Sequence, residues 1–241
     1  VTIISTGSGS VDKLLDGGIR TGHVTDIFGN SKYARSSLSL SICINAIRSL
    51  PKSVVIFVDT QGNFRPEILL NYLNNNEERE ILRRIIVVRL HSARLFSSLI
   101  KKSISHHPEV ILVDNFTSLW NTDFHGIAKH LSIMRGLREL ALTALDHDVA
   151  TIITNPSVPR IHKVLHREGM NPNAKDSIPR LIYDQETLGS SLSLFTSIVL
   201  SLERIENQNS NYNVKLVKPA KNSLCLIGIS RGLIHDVDNI E

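Results

Sequence analysis

The chain has 241 residues, 41% of them apolar, which suits one large α/β domain with a well-buried core. A formal net charge of +4 permits contact with nucleic acid without demanding it. No apolar run approaches the ~20 residues of a helical membrane span and residues 1–5 lack a signal-peptide pattern, so no membrane partner and a cytoplasmic, nucleoid-associated place are expected.

Short β-branched runs at 24–28, 54–58, 85–88, 110–113 and 150–154 read as strands. Between them, helical patterns fall near 36–49, 66–73, 93–105 and 127–146. Strands separated by helices imply βαβ crossovers and a mainly parallel sheet, and the continuous apolar runs imply helices on both faces. The acidic, Asn-rich stretch at 74–78 reads as a solvated helix end. Residues 156–190 carry no pattern and read as one functional or mobile loop. Runs at 194–202, 214–217 and 224–229 read as closely spaced antiparallel strands, the first two joined by a turn at 207–211. With no Pro/Gly/Ser-rich linker, residues 1–241 are expected to form a single domain. Cys43 and Cys225 lie in apolar runs and read as free thiols in a reduced core; nothing resembles a zinc site.

The segment Gly29-Asn30-Ser31-Lys32-Tyr33-Ala34-Arg35-Ser36 sits between a strand and a helix at the spacing of a GxxxxGK[ST] phosphate loop. The residues half fit. Ala34 stands at the second glycine, where a β-carbon disfavours positive φ. Arg35 stands at the lysine and keeps its charge on a planar fork. Ser36 retains the Mg²⁺-type hydroxyl, Ser37 follows it, and Lys32 adds a second cation. Taken alone, the segment could equally be an ordinary turn.

The context decides between these readings. Ile4-Ser5-Thr6-Gly7 followed by Leu14-Leu15-Asp16-Gly17-Gly18 resembles the entry of archaeal RadA and RadB and their eukaryotic recombinase relatives. The similarity continues at Asp59-Thr60-Gln61-Gly62-Asn63-Phe64-Arg65-Pro66-Glu67, at Val110-Ile111-Leu112-Val113-Asp114, at Thr154-Asn155 and at Ile227-Gly228-Ile229, in family order. The resemblance implies a RecA-like P-loop NTPase core, with nucleotide-binding residues Gly29, Lys32, Ala34, Arg35, Ser36, Ser37, Asp114 and Asn155. It also implies ATP and Mg²⁺ as weakly held cofactors, the metal lying near Ser36 and Asp114. The family's N-terminal helical domain is expected to be absent.

The departures are chemical. Gln61 occupies the position of the family's catalytic glutamate, and an amide cannot act as a general base. It can still orient a water. Pro156 replaces the glutamine that follows Asn155 in the family and has no side-chain amide. The first DNA loop, after Asp114, is short. The second begins with Arg160, Lys163 and Arg167, a cluster able to meet DNA phosphates, and has little aromatic content for stacking on single strands. Lys218 and Lys221 read either as solubilising lysines or as residues reaching a neighbour's nucleotide.

From these features the chain is expected to be an accessory RadB-like paralog in homologous recombination and DNA repair. Its partners would be DNA, single-stranded DNA included, and a RecA-family recombinase. ATP hydrolysis would be weak or absent. The alternatives are a non-catalytic interaction scaffold and a slow DNA-dependent ATPase.

Overall fold

Two short strands, β1 (Ile3–Ile4) and β2 (Ile19–Arg20), pair antiparallel on either side of helix α1 (Gly9–Leu14). Ser8 caps α1 by accepting from the Val11 amide, and Asp12 turns back onto Ser5 and Thr6, so this entry is a compact polar knot on an apolar base. The computed structural model describes residues 1–50, 52–73, 78–161, 181–186, 189–205, 210–220 and 223–237, with backbone alone at 78, 158–161, 181–186, 189 and 190.

The core alternates as the apolar runs require. Strand β3 (Val24–Gly29) feeds α2 (Lys32–Ser49), and β4 (Val55–Asp59) feeds α3 (Pro66–Leu70) and α4 (Glu78–Arg83). Strand β5 (Ile85–Arg89) leads through a 3₁₀ turn to α5 (Phe96–Ile104). Strand β6 (Val110–Asp114) leads through a second 3₁₀ turn to α6 (Gly126–His147). Then come β7 (Ala150–Ile161), β8 (Leu181–Glu186), a 3₁₀ turn at Gly189–Leu194, and β9 (Ile198–Arg204), β10 (Asn211–Lys218), β11 (Leu224–Ser230) and β12 (Leu233–Asp236).

The main sheet runs β12-β11-β10-β9-β3-β7-β6-β4-β5. From β9 to β5 the neighbours are parallel, and from β9 to β12 antiparallel. This is the α/β, RecA-like architecture expected: a mainly parallel sheet flanked by helices, with an antiparallel C-terminal extension. One apolar cluster fills the α2 side of the sheet and another the α5–α6 side, so β3, β4 and β6 are buried along their whole length.

Four expectations are corrected. Helix α2 begins at Lys32 rather than near 36. The helix expected over 66–73 stops at Leu70, and α4 follows as a separate piece. The strand expected over 194–202 starts at Ile198, because Leu194 closes a 3₁₀ turn, and it joins β3 in parallel register. The stretch 156–190 is not one loop: β7 runs on to Ile161 and pairs antiparallel with β8. Val158, Ile161, Leu181, Ile182 and Tyr183 supply the β-prone residues of that pairing, among prolines that obscure it in the sequence. The stretch at 74–77 and most of the turn at 207–211 lie outside the described residues.

Candidate phosphate-loop site

The site lies at the C-terminal edge of the parallel strands, where open α/β sheets gather functional residues. The register aligns it: Gly29 of β3 faces Pro156 of β7, Phe28 faces Asn155, and Asp59 of β4 faces Asp114 of β6. Gly29 has little freedom, since a Cβ there would lie 2.2 Å from the Leu202 carbonyl oxygen of β9.

Only Asn30 and Ser31 separate β3 from α2. Ser31 is the N-cap, its hydroxyl accepting from the Ala34 amide at 3.2 Å, while the Arg35 amide donates to the Ser31 carbonyl at 3.2 Å. Ala34 is the reason the helix starts early. Alanine favours helix where glycine would favour a left-handed turn, and a capping serine three residues upstream fixes the start. A phosphate cradle curls successive backbone amides outward through left-handed positions. None of residues 29–36 has positive φ. The amides of Ala34 and Arg35 are already committed.

Arg35 does not reach outward. It is 3% exposed, with Nη1 donating to the Gly29 carbonyl and Nη2 to Asn115 Oδ1 at 3.2 Å. Its Nε has no hydrogen-bond partner among the described residues. Burial lowers its pKa, opposed by the negative charges of Asp114 and Asp26. Asp114 is buried as well. Its Oδ1 accepts from the Thr154 hydroxyl at 2.7 Å and its Oδ2 from Asn115 Nδ2 at 3.3 Å. Burial pushes the Asp114 carboxyl above the ordinary carboxylate range, against the Thr154 bond and the charges of Arg35 and Lys32. Asn115 holds a left-handed conformation, φ 52°, which asparagine tolerates, and this turns its amide toward Arg35.

The structure thus joins Gly29 to Arg35 and sets Asp114 within reach of that charge, and the other expected residues stand nearby in different roles. Lys32 is exposed. Ser36 is half-buried in the first turns of α2, and Ser37 is buried with its hydroxyl unpartnered. Asn155 is fully buried and committed at both amide atoms: Nδ2 donates to Asp26 Oδ1 at 2.9 Å, and Oδ1 accepts from the Thr117 amide at 3.0 Å. The residues at 29–36 do not fit a nucleotide held by its phosphates on this loop.

Gln61 lies on an exposed turn, its Oε1 accepting from Asn63 Nδ2 at 3.2 Å. That turn hangs on Asp59, whose carboxylate accepts from the amides of Gln61 (3.1 Å), Asn63 (3.0 Å) and Phe64 (3.0 Å). Burial alone would raise the Asp59 pKa, but these amides outweigh it and hold it below the ordinary value. Thr60 ties the turn to β6 through the Asp114 carbonyl at 2.7 Å.

The short turn after Asp114 is packed rather than open. Phe116 and Trp120 are buried, packed at a tilt against each other and Phe96 with ring centroids 4.6 to 5.8 Å apart. Gly136 of α6 makes room for Trp120, because a Cβ there would sit 2.7 Å from Trp120 Cζ2. At the second loop, Arg160 stands on the part of β7 that pairs with β8, while its side chain and all of Lys163 and Arg167 lie outside the described residues. Lys218 turns inward, donating to the Thr196 carbonyl at 2.6 Å and to the Ser193 carbonyl, so it is neither of the lysines expected; Lys221 is outside the described residues. Cys43 is buried and Cys225 half-buried, both free, with burial pushing their pKa values up to about 12 and about 11.

Sequence reasoning missed Asp26, Asp59, Asn115 and Thr154. Asp26 carried a signal, an acid inside the apolar run Val24 to Phe28. Asn115 and Thr154 carried none, because their roles depend on which strands become neighbours.

A family model described as Rad51 matches residues 1–175. The chain is 28% identical over 172 residues to "DNA repair protein RAD51 homolog" of Solanum lycopersicum, covering 66% of this chain and 50% of that protein. It is 28% identical over 174 residues to "DNA repair protein RAD51 homolog 1" of Arabidopsis thaliana, covering 66% and 50%. It is 29% identical over 193 residues to "DNA repair protein rhp51" of Schizosaccharomyces pombe, covering 73% and 51%. The chain spans about half the length of these curated relatives.

Proposed function

This chain belongs to the Rad51 family, and from that premise we propose that it is an accessory paralog in homologous recombination and DNA repair. It binds DNA, a recombinase of the same family, or both, and does not turn over ATP efficiently. The observation that carries this reading is the start of α2 at Lys32 with Arg35 folded inward, which leaves no cradle for phosphates. Gln61 at the position of the family's catalytic glutamate supports it, since an amide cannot take the proton of an attacking water. The names of the relatives support a role in DNA repair. The net charge of +4 and the basic start of the second loop, with Arg160, Lys163 and Arg167, support DNA as a partner. No helix of the described residues is long and apolar enough to cross a membrane, in keeping with a place on the nucleoid or in the cytoplasm.

A second reading, a scaffold that binds protein alone, is favoured by the outer side of α6, where Ile127, Leu131, Leu142 and Leu145 are exposed. Fluorescence anisotropy on labelled single- and double-stranded oligonucleotides separates the two, run with and without Mg-ATP and with phosphate release followed alongside. The first reading expects salt-sensitive DNA binding indifferent to Mg-ATP, with negligible release. DNA binding that persists after Arg160, Lys163 and Arg167 are all replaced by Ala would remove the second loop from the interface. Absent DNA binding with retained capture of a Rad51-family recombinase would favour the scaffold. DNA-stimulated phosphate release would make the chain a slow ATPase and overturn the reading of the loop.

A further inference from the structure

We propose that Arg35 is the resident cation of this site: its guanidinium compensates the buried carboxylates of Asp114 and Asp26 and orders the strand ends without nucleotide or metal. The inference rests on the reading that the 29–36 loop does not hold phosphates. It goes further, by assigning the substituted residue a task.

The geometry carries it. Arg35 leaves the first turns of α2 and bridges two elements, the end of β3 through the Gly29 carbonyl and the turn after β6 through Asn115 Oδ1. Asn115 passes the contact on, since its Nδ2 donates to Asp114 Oδ2 at 3.3 Å and its amide donates to the Thr154 hydroxyl at 2.9 Å. That hydroxyl in turn donates to Asp114 Oδ1. On the other flank, Asn155 joins Asp26 of β3 to the Thr117 amide. Arg35, Asn115, Asp114 and Thr154 thus form one hydrogen-bonded chain across β3, β6 and β7, and the charge of Asp26 acts on the same guanidinium.

A buried carboxylate without a counter-charge is costly, and so is a buried guanidinium. Here each offsets part of the other's cost through space, with burial still lowering the Arg35 pKa and raising that of Asp114. A planar fork with divergent N–H groups reaches a carbonyl and an amide oxygen at once, which a lysine ammonium at this position would do less well. The unpartnered Nε shows that the arrangement is not an optimised hydrogen-bond cage. What it supplies is charge. Mg-nucleotide entering at this point would have to displace the guanidinium from Gly29 and Asn115 first.

The test is a double-mutant cycle on thermal unfolding of the full chain, using wild type, Arg35→Met, Asp114→Asn and the pair together, each without additions, with MgCl₂ and with Mg-ATP. Arg35→Met is expected to lower the midpoint by about 10 °C, the scale of breaking a buried pair in a domain this size. Asp114→Asn in that background is expected to restore part of the loss, since it removes a charge left stranded. Arg35→Lys is expected to fall between wild type and Arg35→Met. The wild-type midpoint is expected to stay put in MgCl₂ and in Mg-ATP. If Arg35→Met does not fold alone, the double variant must regain a cooperative transition. An unchanged midpoint in Arg35→Met, additive single losses, or a double variant that fails to recover would each overturn the counter-ion role. These outcomes leave the loop reading intact. A wild-type midpoint raised by Mg-ATP would instead strike the loop reading first and the inference with it.

Discussion

Two turns at the same edge of the sheet follow opposite designs. After β3, the turn is two residues long and closed from within: Ser31 captures a helix amide and Arg35 folds back over Gly29. After β4, the turn from Thr60 to Arg65 stays open, because one carboxylate, Asp59, gathers three backbone amides and holds the loop away from the helix start. In the first, a side chain closes the strand end. In the second, a side chain holds the shape of a loop whose exposed member is Gln61. The two turns are therefore built differently. The second keeps an open loop on a carboxylate, whereas the backbone of the first is already helix.

Asp59→Ala is the strongest way to break the contrast. Three amides would lose one charged acceptor, and we expect a loss of roughly 4 kcal/mol by urea denaturation. The same carboxylate sets an acid limit. Its folded pKa is depressed, so its stabilisation is present above the unfolded value near ~3.9 and is lost as pH falls through the lower folded value. The urea midpoint should drop on going from neutral pH to pH ~3, and Asp59→Asn should flatten that drop; an equally steep fall in Asp59→Asn would move the acid sensitivity elsewhere.

Gly29→Ala comes next, at roughly 3 kcal/mol, because its Cβ would press on the fixed Leu202 carbonyl rather than on a movable side chain. A small effect would mean that β3 and β9 can part at this edge. Ser31→Ala should cost ~1 kcal/mol through loss of the cap, with amide exchange of the α2 start rising locally. The smallest effect sharpens the comparison most. Ala34→Gly should cost ~1 kcal/mol and loosen the first turn of α2. If that variant were instead as stable as wild type, the early helix start would owe nothing to the missing glycine.

The fold was legible because periodicity needs no partner. Short, β-branched apolar runs such as Val110 to Val113, bounded by polar residues, read as strands covered on both faces. The site was legible as a location and misleading as a geometry. The spacing from Gly29 to Ser36 fits a phosphate loop, but where a helix begins is decided by competition between a cap and a turn, and Ser31 with Ala34 sets it four residues early. Arg35 was readable as a retained charge, and only the packed structure shows it turned inward. Asn115 and Thr154 were invisible because hydrogen bonds between strand ends depend on strand order. The strand at Leu181–Glu186 was missed since its partner, β7, had been ended at residue 154.

Trp120 and Gly136 form a peg and socket. A glycine at mid-helix sacrifices about 1 kcal/mol of helix propensity, and at this position it admits one indole ring. Sliding α6 along its axis by a single residue would drive a side chain onto that ring, so the helix has one permitted registration against the turn after β6. Asn115 lies in the same turn, and its amide oxygen is where the Arg35 guanidinium ends. The bearing of that contact is therefore gauged from the opposite face of the sheet, by an indole keyed into a helix that never meets Arg35.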